Sequence, residues 1–493
     1  MSGIAVVSGT DNRGLVYRML DRLRHRGPDG NWVYTGRDVA AGCASLAAES
    51  RADRKRGCGG PGEVCLVADA SIYNIEALRK TLPRRRFGAA SDTDIILHLY
   101  GEHGPSCLGL IDGIFALAIS DKGRLFVARD PLGIKPLYYS RKNGSWCFAS
   151  ELKALTGEFQ GVAEFPPGHF YDSEQGFHQY FELEQPARIC RRPEKLAEEL
   201  KAILDAAVRK RLPPDGEVGV LLSGGLDSST VGVLARRHTS NIHSFTAGTD
   251  DSEDLKHARS LAQKLGTHHH EYIYSLREML EVLPRVVYHL ESFDYLLVRS
   301  SIPNYIASRM ASDYVKVVLC GEGSDELFAG YDHLKKQGSG AELNSMLAEM
   351  IFSCHNTGLQ RVDRMNMANS VEGRMPYFDL DLLKFALAIP ACYKIHPETR
   401  TEKWIVRKAF EDDLPDDIAW RRKEKFSVGA GSYELMAQIA ENGITDTEFE
   451  AERQLSNGHV LRNKEELMYY RLFRDFFGDD PAVLNTVGIT PIA

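Results

Sequence analysis

A glycine-rich segment that follows a short apolar run is well suited to phosphate chemistry. Leu221 lies in the apolar run, and Ser223-Gly224-Gly225 follows, ahead of Asp227, Ser228 and a helical pattern. A strand that turns at glycines into a helix N-terminus directs backbone N–H groups at an anion, and serine hydroxyls add hydrogen bonds. Asp227 is placed to hold a magnesium ion that neutralises phosphates. The alternative is a glycine turn with an incidental aspartate. The GxxxxGK[ST] pattern is missing, so a pyrophosphate-binding loop of another type is predicted.

A second acidic cluster follows another apolar run, VKVVLC. It reads Gly321-Glu322-Gly323-Ser324-Asp325-Glu326. Carboxylates at the C-terminal end of a strand lie where open α/β sheets bind ligands. One of them can bind a metal while the other moves protons. The alternative is a helix start without a catalytic role, because Ser-Asp-Glu is a good N-terminal helix sequence.

The elements that must position these motifs follow from the periodicity. Up to about residue 180, short apolar or alternating runs broken by Gly, Asn and Asp predict a β-rich domain with helices near 14–25, 75–81 and 93–103. The polar segment 183–195 predicts a linker. Strand and helix patterns then alternate to about 330, and amphipathic helical patterns fill the rest. We therefore predict two domains, at 1–185 and 195–493.

The bulk composition indicates a globular protein with small-molecule chemistry. The chain has 493 residues, 43% hydrophobic and 26% charged, with a net charge of −8. This negative net charge does not indicate the positively charged surface that nucleic-acid binding requires. No run of about 18 apolar residues predicts a membrane span, and the start lacks a signal-peptide pattern. The nine cysteines are scattered and form no CxxC pair, which suits a reducing cytoplasm. A cytoplasmic location is expected.

Many motifs together resemble one family. The glycine-rich loop resembles the PP-loop of ATP pyrophosphatases, whose members generally cleave ATP between the α and β phosphates. With the acidic cluster it looks like glutamine-dependent asparagine synthetase and its relative β-lactam synthetase. The resemblance runs through further segments in the right order: RHRGPD at 24–29, IYN at 72–74, RDPLGIKP at 129–136, ASELK at 149–153, DRMNMANSVEGR at 363–374 and WRRKEKF at 420–426.

The resemblance implies a fold and site roles. The fold would be an α+β Ntn-type β-sandwich with helices, followed by an α/β parallel-sheet PP-loop domain with a helical C-terminal part. Asp227 and Asp325 would hold Mg²⁺ and the triphosphate of ATP. Glu322 would be the general base, Lys423 would stabilise the adenylate and the departing pyrophosphate, and Asp363 joins the catalytic set. The implied ATP-binding residues are Leu221, Ser223, Gly224, Gly225, Asp227, Ser228, Ala247, Gly321 and Lys423.

The family's glutaminase equipment is missing from the N-terminal half. Such a glutaminase needs an N-terminal cysteine after loss of the initiator Met, and this chain has Ser2. The family's Asn-Gly-Glu is replaced by Asp69-Ala70-Ser71, and a carboxylate at the oxyanion position would repel the developing charge. Ser45 stands where an arginine clamps glutamine, while Asp92 is retained. We expect no glutamine hydrolysis.

The predicted substrate pocket also departs from the family. A Thr-Thr-x-Arg stretch that contacts aspartate in asparagine synthetases is replaced by Leu296-Leu297-Val298-Arg299. Losing two hydroxyls should penalise a short dicarboxylate and favour a substrate with more apolar reach. Alternatively, the leucines fill space without touching the substrate. Leu296, Leu297 and Arg299 are the predicted substrate-binding residues.

These observations predict an ATP-dependent carbon–nitrogen ligase that forms an acyl-adenylate from a small amino-acid-like carboxylate. The first hypothesis is intramolecular ring closure of the β-lactam type, in specialised metabolism such as antibiotic biosynthesis. Against it, β-lactam synthetases carry Tyr where this chain has Glu322. The alternative is an asparagine synthetase-like ligase that uses ammonia or an external amine. A tRNA-modifying PP-loop ATPase and a silent nucleotide-binding regulator are weaker alternatives. A homodimer is possible, and no nucleic-acid or membrane partner is expected.

Overall fold

The computed structural model describes residues 2–9, 12–46, 64–81, 91–142, 144–214, 217–336, 341–422 and 429–491. The chain forms two compact units. The N-terminal unit comprises Met1–Glu182, Ser456–His459 and Arg474–Val487, and the C-terminal unit comprises Leu183–Leu455, Val460–Phe473 and Gly488–Ala493. The predicted linker begins beside this division, whereas no sequence pattern indicated that two later segments group with the first unit.

The N-terminal unit contains two antiparallel sheets. Its strands are β1 Ser2–Ser8, β2 Gly30–Thr35, β3 Val39–Ser45, β4 Cys65–Ile72, β5 Gly113–Asp121, β6 Arg124–Arg129, β7 Tyr138–Lys142, β8 Ser145–Ala149, β9 Ala163–Glu164, β10 His169–Asp172 and β11 Gly176–Gln179. The strand orders are β2-β3-β1-β8-β7-β9 and β11-β10-β6-β5-β4. One core lies between the sheets, where Ile4 and Phe148 of the first sheet meet Val127 of the second. Alternating apolar residues thus produce a sandwich.

Among the described residues before the linker, the α-helices of this unit are α1 Arg13–Arg22, α2 Ile75–Thr81 and α3 Asp92–His103. Ile95, Ile96 and Leu99 of α3 form a second core with Phe115 and Phe126 on the other face of the second sheet. Ser91 caps α3 through a capping box with Asp94. In this unit Cys65 is disulfide-bonded, which the scattered cysteines had not indicated.

The C-terminal unit is built on a parallel sheet. Its strands are β12 Val218–Leu221, β13 Ile242–Gly248, β14 His268–Ile273, β15 Val317–Leu319 and β16 Glu372–Arg374, in the order β14-β13-β12-β15-β16. The chain runs from β12 outward to β14 and then returns to the other side of β12 at β15. This reversal opens a crevice at the carboxyl ends of β12 and β15, the usual ligand site of such sheets.

Helices fill the remainder of the chain, and all but the last of them lie wholly or mainly in the C-terminal unit. They are α4 Pro193–Arg209, α5 Leu226–His238, α6 Glu253–Leu265, α7 Leu276–Leu290, α8 Tyr295–Ala311, α9 Ser324–Phe328, α10 Ala341–Ser353, α11 Gly358–Met367, α12 Leu380–Ala388, α13 Ala391–Lys394, α14 Trp404–Phe410, α15 Asp416–Ala419, α16 Ser432–Gly443, α17 Asp446–Glu452, α18 Lys464–Phe477 and α19 Pro481–Leu484. The predicted fold class is confirmed: an antiparallel sandwich followed by a parallel α/β sheet with a helical C-terminal part. Within the described ranges, no helix is both long and apolar enough to cross a membrane.

Candidate active site

The glycine-rich loop connects β12 to α5 by a turn that requires glycine. Gly224 has φ +68°, in the left-handed region that glycine favours. A Cβ at this position would lie 2.4 Å from the Cβ of His257. Another side chain at residue 224 would therefore displace the loop from α6.

The first turn of α5 offers donors to an anion. Gly225 is its N-cap, and within the described residues no side chain caps this helix. The hydroxyls of Ser223 and Ser228 lie 3.1 Å apart, and the Ser223 backbone N–H donates to Ser228 Oγ over 3.1 Å. Uncapped N–H groups, a helix dipole and paired hydroxyls are together suited to bind a phosphate.

The acidic cluster meets this loop directly. Gly321 follows β15, and a Cβ there would lie 2.6 Å from the backbone nitrogen of Ser228. Gly323, with φ +104°, then turns the chain into α9, which carries Asp325 and Glu326. Gly321 therefore lets the two predicted motifs come into contact at the crevice.

A lysine that sequence reasoning missed holds the two motif aspartates together. Lys403 Nζ lies 2.6 Å from Asp227 Oδ2 and 2.6 Å from Asp325 Oδ1, and its side chain is 2% exposed. Lys403 itself has a left-handed backbone, with φ +52°, ahead of α14. Gly330 leaves the space for this contact, because a Cβ there would lie 1.9 Å from Asp325 Oδ1 and 2.2 Å from Lys403 Cε.

The same pair of carboxylates fits a magnesium ion. Asp227 and Asp325 converge on one cationic group, and carboxylate oxygens are the protein ligands that Mg²⁺ prefers. Protein Mg²⁺ sites at ATP commonly use one or two carboxylates, with substrate phosphates and water completing the shell. No cluster of three or more metal-ligating side chains occurs in the described part of the chain. The donor set therefore suits a metal that arrives with a nucleotide.

Glu322, the predicted general base, is held by an arginine from α11. The Arg361 guanidinium donates to Glu322 Oε2. Burial alone would lower the pKa of Arg361, but the pairing with Glu322 holds that pKa above its usual value. The Glu322 side chain remains 23% exposed, so it is anchored on one side and reachable on the other.

A third carboxyl of the cluster, Glu326, stands in a different environment. It is 6% exposed and accepts a hydrogen bond from the hydroxyl of Tyr331. Burial, followed by the charges of Glu322 and Asp325, raises the pKa of Glu326 to about 7. This carboxyl can therefore gain or lose a proton near neutral pH beside the predicted base.

These groups surround a cavity of about 600 Å³ in the C-terminal unit. The predicted residues Leu221, Ser223, Asp227, Ser228, Ala247, Leu296, Leu297, Gly321, Glu322 and Asp325 all contribute to its lining. Arg361, Asn304, Met346 and Met350 also line it, and sequence reasoning did not single them out. The cavity thus joins a phosphate site, an acidic site and an apolar wall.

Among the predicted residues that the structure describes, Gly224, Gly225, Arg299 and Asp363 are not part of the cavity lining, and the two glycines shape the loop that contributes Ser223 and Asp227. Arg299 donates to Glu465 from Nε over 2.6 Å and also from Nη2, and its neighbours Leu296 and Leu297 provide the cavity wall instead. Asp363 is 3% exposed in α11, whose residues Gly358, Arg361 and Val362 line the cavity instead. Lys423 lies outside the described residues.

The residues at the predicted glutaminase positions of the N-terminal unit form ion pairs and hydrogen bonds with one another. The Ser2 backbone N–H donates to Asp69 Oδ1 over 3.1 Å, and Arg26 Nη2 donates to Asp69 Oδ2 over 2.8 Å. Burial raises the pKa of Asp69, but Lys135 and Arg26 outweigh burial and hold that pKa below its usual value. The carboxylate at the predicted oxyanion position is therefore charged and fixed. Asp92, the retained residue, accepts the Ile72 backbone N–H over 3.0 Å.

Two family models and several curated relatives match this chain. The asparagine synthase family model matches residues 199–341 and 335–483, and the glutamine amidotransferase domain model matches residues 1–203. A probable glutamine-hydrolysing asparagine synthetase of Schizosaccharomyces pombe is 37% identical, over 92% of this chain and 89% of its own length. Glutamine-hydrolysing asparagine synthetase 1 of Arabidopsis thaliana is 34% identical over 100% of this chain and 89% of its own. A probable glutamine-hydrolysing asparagine synthetase of Dictyostelium discoideum is 34% identical over 93% and 90%.

Proposed function

The chain belongs to the asparagine synthase family and is an ATP-dependent amidating ligase of the asparagine synthetase type, and we propose that it adenylates a substrate carboxylate and joins it to an amine that glutamine does not supply. The observation that carries the proposal is the meeting of the glycine-rich loop and the acidic cluster at one cavity, with Asp227 and Asp325 held by Lys403. The released products would be AMP and pyrophosphate.

In the first step a carboxylate oxygen attacks the α-phosphorus of ATP, the bond to the β-phosphate oxygen breaks, and pyrophosphate leaves. The N-terminus of α5 and the hydroxyls of Ser223 and Ser228 bind the phosphates. Lys403 offsets the charge of the two aspartates that face them. Asp227 and Asp325 are the residues that would hold Mg²⁺, and the ion would supply positive charge to the leaving pyrophosphate.

In the second step the amine attacks the acyl carbon and AMP leaves. Glu322 takes the proton that the nitrogen loses, since its carboxylate is anchored by Arg361 and still reachable from the cavity. Arg361 acts on this step by fixing the orientation of Glu322. The catalytic roles of Asp363 and Lys423 remain predictions.

The absence of glutamine hydrolysis is supported by the N-terminal unit. Ser2 replaces the nucleophilic cysteine, and a charged Asp69 fixed by Arg26 occupies the oxyanion position. A negative group there opposes the negative charge that amide hydrolysis develops. The named relatives hydrolyse glutamine according to their descriptions, so this member would have lost that half of the reaction.

Two sources of the amine are compatible with the site. An amine on the same substrate would give ring closure of the β-lactam type, which needs no ammonia and suits an inactive glutaminase and the leucines at 296 and 297. Glu322 favours free ammonia or an external amine. A glutamate at this position matches the general base of the asparagine synthetases that this chain resembles, whereas β-lactam synthetases carry Tyr there. We propose a small amino-acid-like carboxylate as the substrate and a second copy of the chain as a partner in a homodimer. No nucleic-acid or membrane partner is proposed, and the proposed location is the cytoplasm.

The amine source is tested by supplying the full-length protein with ATP, Mg²⁺ and a panel of amino-acid carboxylates. Each acid is incubated alone, with ammonium, or with glutamine, and products are identified by mass spectrometry. We expect no glutamate release from glutamine under any condition. Ring closure predicts loss of water from the acid without ammonium, whereas amidation predicts product only with ammonium. Glutamate release coupled to amide formation would contradict the proposal.

A further inference from the structure

One buried side chain in the cavity wall carries a hydrogen-bond donor that the described residues leave unpaired. Asn304 of α8 is 3% exposed and lines the cavity. Its amide nitrogen Nδ2 is buried and has no hydrogen-bond partner within the described residues. A buried amide N–H without an acceptor costs free energy, so the position is explained most simply by a ligand that supplies the acceptor.

Other asparagines of the same unit behave differently. Asn344 Nδ2 donates to the carbonyls of Leu387 and Ile389, over 2.8 Å and 3.2 Å. Asn366 Nδ2 donates to the carbonyl of Val362 over 2.7 Å. These amides hold backbone segments in place, whereas the Asn304 nitrogen makes no such contact with the described part of the chain.

Asn304 belongs to one face of α8 that runs along the cavity. Leu297, Ser300, Asn304 and Ala307 all line it, at helical spacing. The Ser300 hydroxyl donates back to the carbonyls of Leu296 and Leu297, both over 3.0 Å. Leu297 and Asn304 are seven residues apart, so the apolar and the polar contact are separated by about 10 Å along the helix. A ligand that touches both is longer than a four-carbon dicarboxylate.

The charges of the cavity disfavour a second carboxylate on that ligand. Asp227, Glu322, Asp325, Glu326 and Glu349 line the cavity, and among its described lining residues Arg361 is the one arginine or lysine. Arg361 is already engaged by Glu322. A distal carboxylate would therefore meet negative charge, whereas a neutral carbonyl group would accept a hydrogen bond from the Asn304 amide without that repulsion.

Resting on the ligase activity proposed above, we propose that Asn304 is a substrate-recognition residue, and that the adenylated acid is an amino-acid-like carboxylate extended by an apolar segment that ends in a neutral amide-type group. The carboxylate to be activated faces the glycine-rich loop, the apolar segment lies against Leu297, and the terminal carbonyl accepts the hydrogen bond of Asn304 Nδ2.

The adenine of ATP is the competing ligand for this amide. A carboxamide can pair with adenine, and α8 packs against β13, which carries the predicted ATP-binding residue Ala247, as well as against α11, which carries Arg361. Asn304 lies on the same helix as Leu296 and Leu297, the predicted substrate-binding residues that line the cavity. The acid is therefore the ligand we assign to Asn304, and ATP affinity is the readout that separates the two.

The test measures ATP–pyrophosphate exchange by the full-length protein with acids of matched chain length that end in a primary amide, a methyl group or a carboxylate, and with aspartate. We expect the amide-ended acids to have the highest kcat/KM. Asn304→Ala should lower kcat/KM for these acids by roughly 10- to 100-fold while the KM for ATP and the exchange with methyl-ended acids stay unchanged. Asn344→Ala, the matched control, should lower the melting temperature and leave acid preference unchanged.

Other results overturn the inference. A higher KM for ATP in Asn304→Ala with every acid affected equally would assign the amide to adenine, and a preference of the unmodified protein for aspartate would exclude the extended acid. If Asn304→Ala lowers the melting temperature as much as Asn344→Ala does, the loss of exchange could be structural. Asn304→Asp, which keeps the side-chain shape, then decides: it should shift the acid preference from amide-ended acids to acids with a cationic end, and an unchanged preference would overturn the inference. Absence of exchange with every acid would instead remove the proposed function itself.

Discussion

The ammonium group of Lys403 lies 2.6 Å from Oδ2 of Asp227, although 176 positions separate the two residues. The same nitrogen contacts Asp325, so a single buried cation joins the glycine-rich loop to the acidic cluster. Two carboxylates brought together without a cation would repel each other. The two motifs are therefore joined by a residue from a distant helix start.

Removing this cation should disable the site. We expect Lys403→Met to reduce ATP–pyrophosphate exchange by about 100-fold or more, because charge next to the phosphates is no longer balanced. The control is Lys335→Met, which removes a lysine paired with Asp332 and Glu402 at 2.8 Å and 2.7 Å outside the cavity lining. Equal losses in the two variants would show that only general stability had been measured.

A glycine that makes room for the lysine gives an independent check. In Gly330→Ala the new Cβ would fall 1.9 Å from Asp325 Oδ1, so Asp325 or Lys403 must move. Exchange activity should fall as in Lys403→Met. Gly443→Ala, where a Cβ meets nothing within 4 Å, should leave activity unchanged. Normal activity of Gly330→Ala would mean that the contact is dispensable.

Restoring the missing cysteine should not restore a glutaminase. Ser2→Cys leaves the Asp69 carboxylate in place, anchored by Arg26 over 2.8 Å, and its charge opposes the oxyanion. We expect no release of glutamate from glutamine, measured by a coupled dehydrogenase assay.

A separate variant, Asp69→Asn, should destabilise the fold by about 3 kcal/mol in urea denaturation, since it removes one partner of a buried ion pair. Sustained hydrolysis by Ser2→Cys alone would refute the role given to Asp69.

A buried lysine away from the site should control the pH dependence of stability. Lys394 is 0% exposed, its Nζ has no hydrogen-bond partner among the described residues, and burial lowers its pKa to about 7. Below pH 7 the Lys394 amine is charged in both the folded and the unfolded state, and the folded state carries the free-energy cost of burying that charge. This penalty is relieved as pH rises from about 7 toward 10.5, because the unfolded chain binds the proton more tightly there.

Lys394→Met should therefore stabilise the protein by up to roughly 4 kcal/mol at pH 7 and below, and the gain should shrink toward zero near the ordinary lysine pKa. Urea unfolding of both proteins at several pH values measures this. A gain that does not change with pH would indicate that packing, rather than the charge, limits stability at this position.

Sequence reasoning predicted what is local and missed what is distant. The loop at 223–228 is contiguous, so its strand, turn and helix could be predicted and the glycines assigned. Lys403 was read only as part of an amphipathic helical pattern, because nothing near it in sequence indicates aspartates 176 positions away. Arg299 was predicted to face substrate with its leucine neighbours, but it is turned to Glu465, which is 166 positions distant and gives no local signal.

The central claim, that a carboxylate attacks the α-phosphorus of ATP in the C-terminal unit, is tested most directly with an acid whose carboxylate carries oxygen-18. After one turnover in the presence of ATP and Mg²⁺, the phosphate group of AMP should contain one labelled oxygen, and pyrophosphate should contain none. Label found in orthophosphate, with ADP as the nucleotide product, would contradict the account.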